Sequence, residues 1–326
     1  MLSQVYVPDP ASVGQHLHDV AAEMVSRGYR VRVLTSARGY DSPEVRYTPR
    51  EVVDGVEIRR LPLGSFGKRS LAVRLLGQLS FLMQVALLGL FSRGLDGIVV
   101  STSPPMCGAA AWLIATLRRV PLTYWVMDIN PDQAVALGAV RPGSLAVRLF
   151  NLLNRMVLRR AAAVVTLDRF MASRVLRKHD VSDKLSVFPP WPHDDQSEII
   201  PHADTSFRRA HGLDANFVVM SSGIHTPTTP ISTAIESAAT LEHRGDIVFA
   251  FVGGGLAKRE VRQAIARGAT NLLDLPYQPM SRLNHSLAAA DAHLVSIGNA
   301  SVGIVHPCKV YGAMAVARPV LFLGPR

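Results

Sequence analysis

A chain of 326 residues that is 48% hydrophobic can bury a large core and is long enough for two domains, which excludes a disordered protein. Its 35 Lys and Arg against 25 Asp and Glu leave a formal charge of +10. That balance favours anionic partners such as nucleotide phosphates or anionic lipid headgroups. Nucleic acid is not an expected partner, because the chain has no zinc-finger spacing, no aromatic and basic RNA-binding signature and no basic tail. The two cysteines, Cys107 and Cys308, stand in unrelated contexts, so neither a disulfide framework nor a metal cluster is indicated. The start "MLSQVYVPDP" lacks the basic opening and long apolar run of a signal peptide, and a cytoplasmic location is expected.

In chain order, the first half alternates helical and strand patterns. "GQHLHDVAAEMVSRG" (14 to 28) predicts a helix ending on a glycine. The runs "RVRVLTS" (30 to 36), "DGIVVSTS" (96 to 103), "PLTYWVMD" (121 to 128) and "AAVVTLD" (162 to 168) predict strands, each rich in β-branched residues and followed by a polar or proline-containing turn. Between them, "LLGQLSFLMQVALLGLFS" (75 to 92) is uncharged over its whole length and is flanked by Lys68, Arg69, Arg74 and Arg93. Three readings stand for it: a membrane span, a helix dipping into a bilayer surface, or ordinary core. "SLAVRLFNLLNRMVLRRA" (144 to 161) predicts a second basic helix, with Arg148, Arg155 and Arg159 in one stripe. Two basic apolar helices in one domain favour a lipid surface, although the stripe also fits a solvated face.

"FPPWPHDDQSEIIPHADTS" (188 to 206) breaks the rhythm and reads as an interdomain linker. The expected domains are 1–190, a linker at 191–206, and 207–326. After the linker the alternation restarts. Strands are expected at 217 to 223, 246 to 255, 271 to 277, 292 to 298 and 319 to 324, with helices at 230 to 243, 258 to 267, 281 to 289 and from Pro307. Strands alternating with helices imply parallel sheets covered on both faces, so the fold class is α/β with two Rossmann-like domains.

Several of these segments together resemble a known family. They are "VPDPASVGQH" (7 to 16), the "SGIH" turn after the first strand of the second half, the "VGGG" strand end (252 to 255) and the helix entrance "HPCKVYGAMAVARP" (306 to 319). In this order they look like a GT-B glycosyltransferase of the family 4 type, close to the enzymes of colanic acid and surface polysaccharide biosynthesis. The resemblance implies two Rossmann-like domains facing across a cleft, the first on the acceptor side and the second binding a nucleotide-sugar. It also implies a C-terminal domain that is incomplete, since the family continues past Arg326, and a first strand shortened to "LSQVY".

The implied activity is metal-independent transfer of a sugar, hexosyl in type, from a UDP-sugar to a lipid-linked or polysaccharide acceptor. The donor is the substrate and no separate cofactor is expected. Peripheral attachment to the inner face of the cell membrane follows from the acceptor. Ligands in open α/β sheets sit beyond the carboxyl ends of the strands. Gly14, Gly223, Gly253, Gly254 and Gly303 fall after strands or beside helix starts, where bare backbone can approach a diphosphate or simply turn the chain.

The entrance at 303 to 309 is therefore the expected diphosphate site. Gly303 would give close approach, the helix from Pro307 would supply N–H donors, Lys309 and His225 would supply charge, and His306 would contact substrate. Asp128 or Asp132 would orient or deprotonate the acceptor hydroxyl, with a turn or cap as the alternative for Asp128. Tyr277 would lie near the uridine, or plug the core. The sequence departs from the family at three places: Ile304 and Gly312 stand where an acidic pair is common, and Ile224 replaces a polar residue in the "SGIH" turn. A UDP-sugar epimerase and a non-catalytic nucleotide-sugar-binding protein are the alternatives.

Overall fold

The computed structural model describes residues 1–39, 44–64, 71–192 and 199–325. It divides into two compact units, Met1–Pro189 with Gly303–His306, and Pro190–Val302 with Pro307–Arg326.

In the first unit, helix α1 (Ser12–Ser26) buries Gly14, Leu17 and Ala21 at helical spacing and leads into strand β1 (Arg32–Ser36). An antiparallel hairpin follows, β2 (Arg50–Val53) and β3 (Val56–Leu61). It turns on Asp54 and Gly55, both at positive φ, 49° and 75°, as the tight turn matching strand twist requires. No element was expected there, yet Asp-Gly flanked by valines is the strongest short hairpin signal. Strand β3 pairs in parallel with β1.

Helix α2 (Leu71–Leu90) is the uncharged run. Phe81 and Val85 are fully buried, while Leu75, Leu76, Leu79, Met83 and Leu87 are exposed. It is thus core on one side and an uncovered apolar face on the other. Among the described residues no helix is long and apolar enough to cross a membrane. Lys68 and Arg69, which precede it in sequence, lie outside the described residues.

The unit continues with β4 (Ile98–Ser101), α3 (Cys107–Arg118), β5 (Leu122–Val126), α4 (Asp132–Ala136), α5 (Leu145–Arg160), β6 (Ala163–Thr166), α6 (Arg169–Lys178) and β7 (Leu185–Val187). Strands β4 to β7 form a parallel sheet in chain order. Leu2 makes parallel bridges to Leu34 of β1 and to Val100 of β4, so the start of the chain links this sheet to the β1–β3–β2 sheet. Arg148, Arg155 and Arg159 are exposed along α5, beside exposed Leu145, Leu149 and Leu152.

The second unit contains α7 (Ser206–His211), β8 (Phe217–Ser222), α8 (Ser232–Thr240), β9 (Ile247–Val252), α9 (Lys258–Ala266), β10 (Leu272–Leu275), α10 (Leu283–Ala288), β11 (Ala292–Ser296), α11 (Lys309–Ala315) and β12 (Val320–Leu323). The sheet is parallel, in the order β10-β9-β8-β11-β12. Its strands are apolar on both faces, as burial between two helix layers demands. On one face Val219, Phe249, Phe251, Leu272 and Leu294 meet Ile231, Ala234, Ala238, Ala257 and Val261. On the other, Val218, Met220, Ala250 and Val252 meet Phe207, Leu213, Ala289 and Ala290.

The stretch expected as a linker is in part structured. Residues 193–198 lie outside the described residues, but Ile200 is buried against Leu287, Ala288 and Val316, and its carbonyl accepts from Arg318 Nη2 at 2.8 Å.

Candidate functional site

The second sheet changes direction at β8: the chain moves outward to β9 and β10, then returns to the other side of β8 for β11 and β12. Ligands of open α/β sheets bind at the carboxyl end of such a switch point. Here that end carries Gly223 and His225 after β8, Gly253 to Gly255 after β9, Tyr277 after β10, and Lys309 at the start of α11. Six of the ten residues expected in the site thus share one strand edge.

The loops interlock. The Gly223 N–H donates to the Val252 carbonyl at 2.9 Å, the His225 N–H to the Gly254 carbonyl at 2.8 Å, and the Gly253 N–H to the Leu275 carbonyl at 3.0 Å. Gly253 has φ +120°, and a Cβ there would stand 2.2 Å from the Gly223 carbonyl oxygen. At Gly255 a Cβ would stand 2.2 Å from the His225 carbonyl oxygen. These glycines are required by loop-to-loop packing. Gly254 lies under the ring of Tyr277, whose Cε2 is 2.7 Å from where a Cβ would be.

Lys309 lies along Gly223, with Cε 3.4 Å from a Cβ built on that glycine, and its Nζ donates to Ser221 Oγ at 3.3 Å. Among the described residues it has no carboxylate partner. Burial, and after it the neighbouring Lys258 ammonium, push its pKa down to about 7. Lys258, which sequence reasoning missed, is fully buried but satisfied. It donates to the carbonyls of Gly253 at 2.8 Å and Leu275 at 2.5 Å and pairs with Asp274, tying β9 to β10. Its signal was a lysine opening a helix directly after a glycine-rich strand end.

Two expectations at this site need correction. His225 does not supply charge at neutral pH: the ring is fully buried, and burial, followed by the Lys309 ammonium, pushes its pKa down to about 3. Its Nδ1 and Nε2 each lie 3.2 Å from a carbonyl, of Gly254 and Ser221, and a neutral imidazole can donate to only one of them. The helix also begins at Lys309 rather than Pro307 and runs only seven residues. The feature that remains is a lysine beside Gly223 that, among the described residues, has no carboxylate partner.

The other expected residues belong to the first unit. Gly14 faces the backbone of Tyr6, where a Cβ would come within 2.9 Å of the Tyr6 Cα. Gly303, at φ +68°, lies against the Phe170 carbonyl, 2.6 Å from a would-be Cβ, so the backbone it approaches is protein. His306 Nδ1 is 2.7 Å from Asp168 Oδ2, and Asp168 caps α6 through the Met171 N–H at 2.7 Å. Burial pulls the Asp168 carboxyl up, but the His306 ring and the α6 amides outweigh it and hold it below the ordinary carboxylate value. His306 is thereby placed in the unit that lacks Lys309. Ile304, where the family often has an acid, is buried, and its carbonyl accepts from the Ile129 N–H at 2.9 Å.

Asp128 follows β5, with its N–H donating to Thr102 Oγ1 at 3.0 Å. It lines a small water-sized cavity with Asn130, Asn154 and Lys178. Burial raises its carboxyl to about 6. Asp132 is instead paired with Lys178, which also donates to Asn151 Oδ1 at 2.8 Å. Of the two carboxylates, Asp128 is the one with no ion pair among the described residues. Among the described residues no three His, Cys, Asp or Glu side chains gather as a metal site needs.

Comparison with known proteins agrees with this architecture. Residues 12–191 match the glycosyl transferase 4-like domain. The probable glycosyltransferase WbjE of Pseudomonas aeruginosa is 26% identical over 281 residues, covering 84% of this chain and 69% of WbjE. HepE of Anabaena, solved in complex with UDP-glucose, superposes with a TM-score of 0.70 at 17% identity over 98% of this chain and 79% of HepE. WaaG, a glycosyltransferase involved in lipopolysaccharide biosynthesis, gives 0.70 at 17% identity over 98% of this chain and 80% of its own. With more than half of the chain matched by the family and a likeness to GT-B structures over 98% of it, this protein belongs to the glycosyl transferase 4-like family and is a glycosyltransferase.

Proposed function

We propose that the protein transfers a hexosyl group from a UDP-sugar to a lipid-linked or polysaccharide acceptor of cell-surface glycan biosynthesis, at the inner face of the membrane. The observation that carries this reading is Lys309, a cation without a carboxylate partner among the described residues, at the carboxyl end of the β8 switch point and flanked by Gly223 and Ser221. A partly buried ammonium beside a second lysine is unfavourable unless an anion offsets it, and a diphosphate would. The likeness to HepE, solved with UDP-glucose, supports uridine as the base, with Tyr277 over Gly254 as its neighbour.

In the reaction the acceptor oxygen bonds to the anomeric carbon, and the bond from that carbon to the β-phosphate oxygen breaks. Its electron pair stays on the diphosphate, where Lys309 stabilises the developing charge. No metal is needed for that step in this scheme. The hydroxyl proton passes to Asp128, whose raised value suits a base working near neutrality.

The test is release of UDP on mixing the protein with UDP-sugars and a polyprenyl-linked acceptor. Asp128 must be ionised to accept a proton, so kcat/KM should fall about tenfold per pH unit below its value of about 6. Asp128→Asn should remove that limb and lower the plateau by about 100-fold or more. An unchanged acid limb in the variant would take the base role from Asp128. A non-catalytic binder is the reading favoured by buried Ile304 at the acidic-pair position; UDP binding with no transfer to any acceptor would establish it.

A further inference from the structure

The first unit has a groove of about 430 Å³ that the site above does not use, lined by Arg50, Arg59, Leu61, Gln84, Leu87 and Leu88 among others. Arg50 and Arg59 face each other directly across the β2–β3 ladder. Like charges at directly opposed positions of an antiparallel pair repel, and here no carboxylate relieves them among the described residues. The acids of the hairpin are engaged elsewhere: Glu51 pairs with Arg60 and Glu57 with Arg32. Arg60, next in sequence, also borders the groove, but its side chain is buried and engaged, donating to the Thr48 carbonyl at 3.1 Å and the Val7 carbonyl at 2.6 Å. Among the described residues, Arg50 and Arg59 are therefore left without a carboxylate beside the groove.

The opposite wall, from α2, is formed by Gln84, Leu87 and Leu88. Leu87 is half exposed, and Leu79, Met83 and Leu87 continue at intervals of four along the uncovered face of α2. A groove with two arginines at one wall and a leucine track at the other matches an amphiphile with an anionic head and a hydrocarbon tail. Arg59 lies in the carboxyl-terminal half of β3, which runs parallel to β1, and Arg50 opens β2 beside it. That is the edge of the first unit where Asp128 follows β5.

We propose that this groove binds the phosphate of a lipid phosphate, with Arg50 and Arg59 holding the phosphate oxygens and the α2 leucines taking the chain. The proposal rests on the lipid-linked acceptor reading and names the place where that acceptor's phosphate is held. Planar guanidinium forks suit phosphate oxygens bidentately.

The probe is farnesyl phosphate, titrated into the full chain by calorimetry, with farnesol and inorganic phosphate as the two halves of the molecule. Farnesyl phosphate should bind, and neither half alone should bind measurably at the same concentration. The Arg50→Gln/Arg59→Gln variant should lose at least tenfold in affinity, about the effect of removing one good charge-assisted contact. Leu87→Gln should weaken binding several-fold, and Arg148→Gln/Arg155→Gln on α5 should not change it. Unchanged UDP affinity in each variant shows that the second unit is intact.

Flotation with phosphatidylglycerol vesicles separates the proposal from the wider membrane reading. Equal farnesyl phosphate affinity in parent and Arg50→Gln/Arg59→Gln overturns the groove, even if both proteins float. Binding of farnesyl phosphate without flotation upholds the groove and removes the membrane surface. Absence of both overturns the two together.

Discussion

Lys309→Ala should fold and lose about 100-fold or more in turnover, the scale of removing one fixed stabiliser of a charge that develops in the transition state. The loss should fall mainly on kcat, because charge on the diphosphate oxygen grows as the glycosidic bond breaks. Folding should survive because the Lys309 ammonium has one weak partner, Ser221 Oγ at 3.3 Å. Removing it also relieves the burial of a charge and the repulsion from Lys258, which in that order lower its pKa. Stability of the unliganded protein should therefore be unchanged or slightly higher in the variant below pH 7, where Lys309 is charged in the fold. Steady-state kinetics and thermal unfolding at constant salt measure the two effects.

Gly253→Ala is the second large effect, and it acts on the fold. The added Cβ would meet the Gly223 carbonyl oxygen at 2.2 Å on a backbone at φ +120°. Both the clash and the conformation must be relieved by moving the loop after β8. A cost of about 3 kcal/mol or more is expected, summing steric displacement and a backbone region closed to L residues. Gly268→Ala is the matched control, since Gly268 has φ +106° but open space around it. It should lose only the conformational part, about 1–2 kcal/mol. Equal unfolding midpoints for the two variants in urea would show that the loops are not locked at Gly253.

The parallel sheet of the second unit was legible because its strands are buried on both faces and so read as largely apolar runs, Ile247–Val252 without a polar residue. Glycines at the strand ends were legible as special positions, but their reason was not. At Gly253, Gly255 and Gly303 the close approach is to protein backbone, and tertiary neighbours are invisible to spacing. His225 was expected to supply charge to the diphosphate from the "SGIH" turn; full burial reverses that, and burial depends on packing from β9 and α9. The β2–β3 hairpin was overlooked although Asp54-Gly55 announces it, and with it went the pairing of Arg50 with Arg59. In the uncharged run, periodicity alone could not separate core from surface, since both faces of α2 are apolar and only one is covered.

The central claim is that Lys309 meets the donor diphosphate, and calorimetry of UDP binding at pH 8 tests it most directly. In the free protein Lys309 titrates at about 7, so at pH 8 it is mostly neutral. A bound diphosphate favours the ammonium and raises that value, so binding must draw in a proton. Titrations in buffers of different ionisation enthalpy should give uptake of close to one proton per UDP for the parent and none for Lys309→Ala, whose affinity should also be lower. The parent's affinity should weaken as pH rises above 7. Equal affinity and equal proton uptake in the two proteins would contradict the assignment of Lys309, and with it the phosphate site at the β8 switch point.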